Sequence, residues 1–116
     1  MASTNALGGE ALYAHYNASK GAVLQLTRTM AVELGPRGIR VNALCPGYID
    51  TPLNSEIAAA HAATDFAAAY ADDHVPLGRA GRADEIAAAY AFLASDESSF
   101  VHGAALVVDG GQLAVM

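Results

Sequence analysis

Two short apolar runs, residues 39–45 and 104–108, lie far apart in the chain, and each is closed by a turn signal: Pro46-Gly47 after the first, Asp109-Gly110-Gly111 after the second. Ile39 and Val41 bring β-branched residues to the first run, and Leu106, Val107 and Val108 fill the second, so both read as buried strands. Helical sequence separates them. Strands joined through helical crossovers run parallel, because an antiparallel pair is reached by a short hairpin. The expected architecture is therefore α/β, a parallel sheet with helices on its faces.

The helix before the first strand spans 12–34 by its spacing. Ser19, Val23, Leu26, Met30 and Leu34 recur every three or four residues and form one stripe, and Gly35-Pro36 with Gly38 supplies the stop. After 52 the sequence turns Ala-rich, with Ile57, Phe66 and Tyr70 among scattered acids and histidines, which predicts one or two short helices and a mobile lid over 52–78. Asp84 and Glu85 then open another helix, where carboxylates complement the positive end of the helix dipole. Ile86, Ala89, Tyr90 and Leu93 follow at helical spacing, and this helix ends near Ser95. No internal repeat or linker interrupts the order.

Composition excludes several classes of partner. Six Lys and Arg against twelve Asp and Glu give a net charge of -6, a field that repels nucleic-acid phosphates and anionic membrane surfaces. No stretch approaches the roughly 20 apolar residues that span a bilayer, and 116 residues, 53% of them hydrophobic, suffice for one small globular domain. Cys45 is alone and cannot form an internal disulfide, and no basic-then-apolar leader opens the chain, so a reducing, cytoplasmic setting is expected. His15, His61, His74 and His102 are too scattered for a ligand set, and no metal site is expected.

Tyr16 and Lys20 stand four residues apart on the first helix, a spacing that brings an ammonium near a phenol. A free tyrosine ionises near pH 10, and a neighbouring positive charge favours the phenolate, so such a tyrosine can serve as general acid or base. On spacing alone most such pairs are surface packing. Here Ser3 lies thirteen residues before Tyr16 in a small, turn-rich opening segment, and the run continues as Tyr-Asn-Ala-Ser-Lys-Gly-Ala-Val.

With these residues in view the chain resembles the short-chain dehydrogenase/reductase family, which pairs a serine with a Tyr-x-x-x-Lys motif at this spacing. The resemblance implies that Tyr16 gives or takes the substrate proton, that Ser3 orients and polarises the carbonyl, and that Lys20 lowers the tyrosine's pKa and holds the cofactor ribose. A second match, residues 42–51, resembles the family's Pro-Gly loop. It implies that Pro46 and Gly47, backbone groups near Ile49 and the hydroxyl of Thr51 line the nicotinamide site, although Pro-Gly by itself is a generic turn. A third match runs from Pro76 to Gly111, with Ala83 where the family commonly has proline. It implies structural roles: Arg79 and Arg82 tie the lid to the following helix, and Asp109-Gly110-Gly111 closes the last strand near subunit contacts.

The resemblance covers nearly the whole chain but only the last half of the family pattern. The implied fold is the C-terminal part of a Rossmann-like doubly wound parallel sheet. Residues 1–116 are expected to be the catalytic half of such a domain without its dinucleotide-binding half, because no Gly-x-x-x-Gly-x-Gly is present to take a pyrophosphate. The implied activity is NAD- or NADP-dependent interconversion of a ketone and a secondary alcohol, by an enzyme that is a homo-oligomer, dimer or tetramer, when complete. This chain alone is expected to be inactive. The alternative is a non-catalytic assembly or interaction module that keeps the motif residues as remnants; an epimerase or dehydratase on the same fold is a third reading.

Overall fold

In the computed structural model, which describes residues 1–60 and 66–115, the first long element is α1 (Ala14–Leu34). A short 3-10 turn, Gly35–Arg37, follows it, and Gly38 stops the run in the left-handed region at φ 75. The buried face of α1 differs from the apolar stripe. Leu24, Thr27 and Ala31 pack inward, whereas Ser19, Leu26 and Met30 are exposed, Leu26 by 58%. Leu24, with Val23 beside it, packs against β1, and Thr27 and Ala31 continue the buried face, so the stripe is rotated from the inward face rather than opposite to it.

Strands β1 (Ala43–Pro46) and β2 (Ala105–Val108) pair in parallel, with Ala43 opposite Ala105 and Pro46 opposite Val108. β1 is fully buried, while β2 is half-buried, and β1 begins later than its apolar run. Ahead of it the Gly103 amide still donates to Val41 O (2.8 Å), and side chains supply further hydrogen bonds. The Val41 amide donates to His102 Nδ1 (3.1 Å), and Asn42 accepts from the Ala104 amide (3.0 Å) while donating to the Val101 carbonyl (2.8 Å). The Ala2 amide donates to Leu44 O (2.8 Å), which places the opening residues against β1.

Alternation along β1 divides the core in two. Ala43 and Cys45 pack with Ala2 and Leu24 of α1, whereas Leu44 packs with Ile49 and with Ile86 of α4 (Ala83–Ala94). Helices thus cover both faces of a parallel sheet, a partial doubly wound fold. The C-terminal end of α4 is closed by Arg40, whose guanidinium donates to Leu93 O (3.0 Å), Ser95 O (3.1 Å) and the buried Ser98 hydroxyl (2.8 Å). Between the strands the Ala-rich stretch forms two short helices, α2 (Pro52–Ala60) and α3 (Phe66–His74). Residues 61–65 of the expected lid, His61 among them, lie outside the described residues, as do the side chains of Ile57 and Phe66. No helix of the described residues is long and apolar enough to cross a membrane.

At its other end α4 is fixed by Glu85. This carboxylate accepts two hydrogen bonds from Arg79 (2.7 and 2.9 Å) and one from the Arg82 amide (2.8 Å), so the loop after α3 is held to the helix. The Arg79 hydrogen bonds first, then the Arg82 amide, hold its carboxyl down at about 2. Because the folded value lies below the ordinary one, protonation favours the unfolded chain. The contribution is present above about pH 4.5 and is lost as pH falls through about 2. Glu85→Gln should flatten the acid limb of the stability curve across that window; unfolding midpoints that fall equally steeply in both proteins would refute it.

Candidate active site

After Ala2, whose amide bonds to β1, Ser3 is 7% exposed and caps a short 3-10 turn, Thr4–Ala6. Its hydroxyl accepts from the Asn5 amide (3.2 Å) and donates to Asn5 Oδ1 (3.1 Å). Asn5 Nδ2 in turn donates to Asn17 Oδ1 (2.9 Å) and to Glu10 Oε2 (2.8 Å), and Asn17 Nδ2 donates to the Glu10 carbonyl (3.2 Å). The serine turn is thereby fastened to the first turn of α1, beside Tyr16.

Tyr16 is half-buried and meets Tyr13 edge-on at 6.4 Å between ring centroids. One turn further along α1, Lys20 Nζ lies over the Tyr16 ring, 5.3 Å from its centroid, and donates to the Met1 carbonyl (3.5 Å). The i,i+4 spacing thus produces the contact between cation and ring, and the ammonium also reaches the opening segment that leads to Ser3. His15 is exposed, and Cys45 is a fully buried free thiol whose ionisation is pushed up by burial.

Pro46 ends β1, and Gly47 begins the loop that carries Tyr48, Ile49 and Thr51 at the carboxyl end of the strand, where open α/β sheets bind ligands. The loop is fixed at several points. The Gly47 amide donates to Val108 O (3.1 Å) and the Tyr48 amide to Gln112 Oε1 (3.0 Å). Ile49 bridges to Gly81, and its carbonyl accepts from Asn54 Nδ2 (2.6 Å). Thr51 Oγ1 accepts from the Asn54 amide (3.4 Å) at the start of α2.

A cavity of about 360 Å³ opens between α2, α3 and the 78–80 loop, lined by Tyr48, Asp50, Asn54, Ser55, Asp72 and Arg79 among others. The lining is mixed, with Asp50, Asp72 and Arg79 set among Ala68, Ala71 and Ala80. Tyr70 of α3 stacks on His74 (4.5 Å, 9°) and tilts against Tyr48 (4.7 Å). Burial, then the charge of Glu10, pushes its ionisation up to about 12. Four residues that motif reading passed over therefore join the site: Asn5, Glu10, Asn54 and Gln112. Asn54 had a signal, standing three residues after Thr51 at a helix start, and Asn5 lies in the turn that Ser3 caps; Glu10 and Gln112 are brought in by contacts that no spacing rule gives.

A family profile described as enoyl-(acyl carrier protein) reductase matches residues 1–112. Cis-4-hydroxycyclohexanecarboxylate dehydrogenase of Sinomonas cyclohexanicum is 50% identical over 107 residues, 92% of this chain and 41% of that enzyme. A short chain dehydrogenase family protein of Francisella tularensis superposes with a TM-score of 0.88 at 34% identity, covering 97% of this chain and 49% of that one. A crystal structure titled as a putative 2-deoxy-D-gluconate 3-dehydrogenase of Agrobacterium tumefaciens with bound NADP gives a TM-score of 0.85 at 40% identity, covering 97% and 44%. The chain spans less than half the length of each of these relatives.

Proposed function

The chain belongs to the short-chain dehydrogenase/reductase family, and on that premise we propose that residues 1–116 are the catalytic half of an NAD- or NADP-dependent oxidoreductase that interconverts a ketone and a secondary alcohol. The observation that carries this reading is Lys20 over the Tyr16 ring, on a helix turn to which the Ser3 turn is hydrogen-bonded. The donor set of the Lys20 ammonium, the Thr51 hydroxyl and the main chain around Ile49 suits the nicotinamide-ribose end of such a cofactor. When bound, the cofactor supplies or takes the hydride.

Tyr16 exchanges the proton with the substrate oxygen, and Ser3 steadies the charge that develops there. Lys20, whose ammonium lies over the Tyr16 ring, holds the ribose. Pro46 and Gly47 shape the turn that presents Ile49 and Thr51, and residues 52–78 act as the substrate lid. A homo-oligomer of the completed enzyme is supported by exposed apolar side chains at Leu26, Val32 and Phe100. The buried free thiol of Cys45 suits a reducing, cytoplasmic setting.

Two preparations test this. The 116-residue chain, titrated with NADH and NADPH, is expected to show no micromolar binding and no turnover. A chimaera in which the chain replaces the matching segment of the Sinomonas enzyme is expected to bind cofactor and oxidise secondary alcohols, the host's own among them. A folded chimaera that binds cofactor but moves no hydride would sink the enzyme reading and leave the assembly module.

A further inference from the structure

One hydrogen-bond chain joins the serine turn to the cofactor loop, and the chemistry of its members fixes its direction. The Tyr48 backbone N–H can only donate, so the oxygen of the Gln112 amide faces it (3.0 Å) and the nitrogen faces away. That nitrogen donates to Tyr70 Oη (3.1 Å), and the phenol has one proton left to give, to Glu10 Oε1 at a long 3.4 Å. The other oxygen of Glu10 accepts from Asn5 Nδ2 (2.8 Å). Asn5 therefore turns its carbonyl oxygen toward Ser3, which donates to it (3.1 Å). Glu10 is acceptor-only when ionised, so both arms end on it, and the one free rotor is the Ser3 hydroxyl, held in place by the Asn5 amide and able to turn its single proton from Asn5 Oδ1 to a substrate oxygen. Gln112 is 5% exposed, and Glu10 and Tyr70 are half-buried.

We propose that Glu10 and Tyr70 form a positioning pair that registers the Ser3 hydroxyl against the loop carrying Ile49 and Thr51, with α3 supplying the link between them. The inference rests on the reading of Ser3 as a substrate-facing hydroxyl. Neither residue touches the reacting atoms. Glu10 acts through Asn5, and Tyr70 acts through Gln112. Because Tyr70 sits on α3, a displacement of that helix would loosen both ends of the site together.

The network is tested on the 116-residue chain by NMR, with the Asn5 side-chain amide and the Tyr48 backbone amide as reporters at the two ends. Tyr70→Phe removes one oxygen, and both reporters are expected to move. Glu10→Gln gives a second, isosteric test that leaves the ring packing alone, and it is expected to move the Asn5 amide. An Asn5 side-chain amide unmoved in both variants would overturn the proposal. In the chimaera, Tyr70→Phe should lower kcat by about tenfold, as for loss of one hydrogen bond to a charged group, and should weaken cofactor binding as the Tyr48 end of the loop loosens. An unchanged kcat would also overturn it. A parental chimaera without turnover would count against the functional reading alone, since the NMR result stands apart from turnover.

Discussion

In the chimaera, Tyr16→Phe should slow alcohol oxidation by at least about a hundredfold, the lower end of what a positioned general base contributes, while the dissociation constant for NADH changes by less than about twofold, because no hydride-side contact is lost. The substitution removes one oxygen and leaves the ring on which Lys20 sits and against which Tyr13 packs edge-on. Folding should therefore be nearly untouched. Tyr13→Phe provides the comparison, since it deletes a neighbouring phenol at 6.4 Å without deleting the proposed proton carrier. The pair separates chemistry from packing: equal losses in both variants would mean that Tyr16 acts through the aromatic contact, and retained turnover in the Tyr16 variant would end its assignment as proton carrier. Lys20→Met should lower both kcat and cofactor affinity, because the same ammonium lies over the Tyr16 ring and is assigned to the ribose.

The parts of the fold that were legible in sequence are those set by local rules. Gly35-Pro36 and Gly38 end α1 where a left-handed residue is needed, and the acids at 84 and 85 open α4. The β-branched runs also gave the parallel pair, although β1 starts at Ala43, ahead of which Asn42 and His102 supply side-chain hydrogen bonds to the backbone. What misled was apolar size. Leu26 and Met30 face outward on α1, while Leu24, Thr27 and Ala31 are buried, Leu24 against Ala43 and Cys45 of β1. Of the candidate site, fixed spacing located Tyr16 and Lys20, which the structure brings into contact. Spacing could not connect polar groups far apart in the chain. Glu10, Tyr70 and Gln112 meet only after α3 has docked, and no spacing rule connects residues 10, 70 and 112.

Gly47→Ala should cost the fold through overpacking alone, since Gly47 does not share the left-handed backbone of Gly110 and Gly111. A Cβ built there would stand 2.6 Å from Asp109 Cβ, 2.7 Å from Gln112 Oε1 and 2.8 Å from Asp109 Cα. The Gln112 end could swing away, but only by giving up the Tyr48 amide, and the Asp109 main chain is held because its carboxylate accepts from the Gly111 and Leu113 amides, both at 2.8 Å. Neither side yields cheaply, so the loss should be about 1–3 kcal/mol, as for overpacking a tight contact. Gly21, on α1, has nothing within 4 Å of the same hypothetical Cβ. There alanine should stabilise by roughly 0.5–1 kcal/mol, because a helical glycine gives up more conformational freedom than alanine does. One chemical change made at two positions of the 116-residue chain is thus expected to shift the denaturant midpoint in opposite directions. In the chimaera only the first should weaken cofactor binding, since it displaces the loop that carries Ile49 and Thr51. A Gly47→Ala protein as stable as its parent, with unchanged cofactor affinity, would show that the β1–loop junction has slack the close contacts with Asp109 do not reveal, and that this loop is not held in place by packing at Gly47.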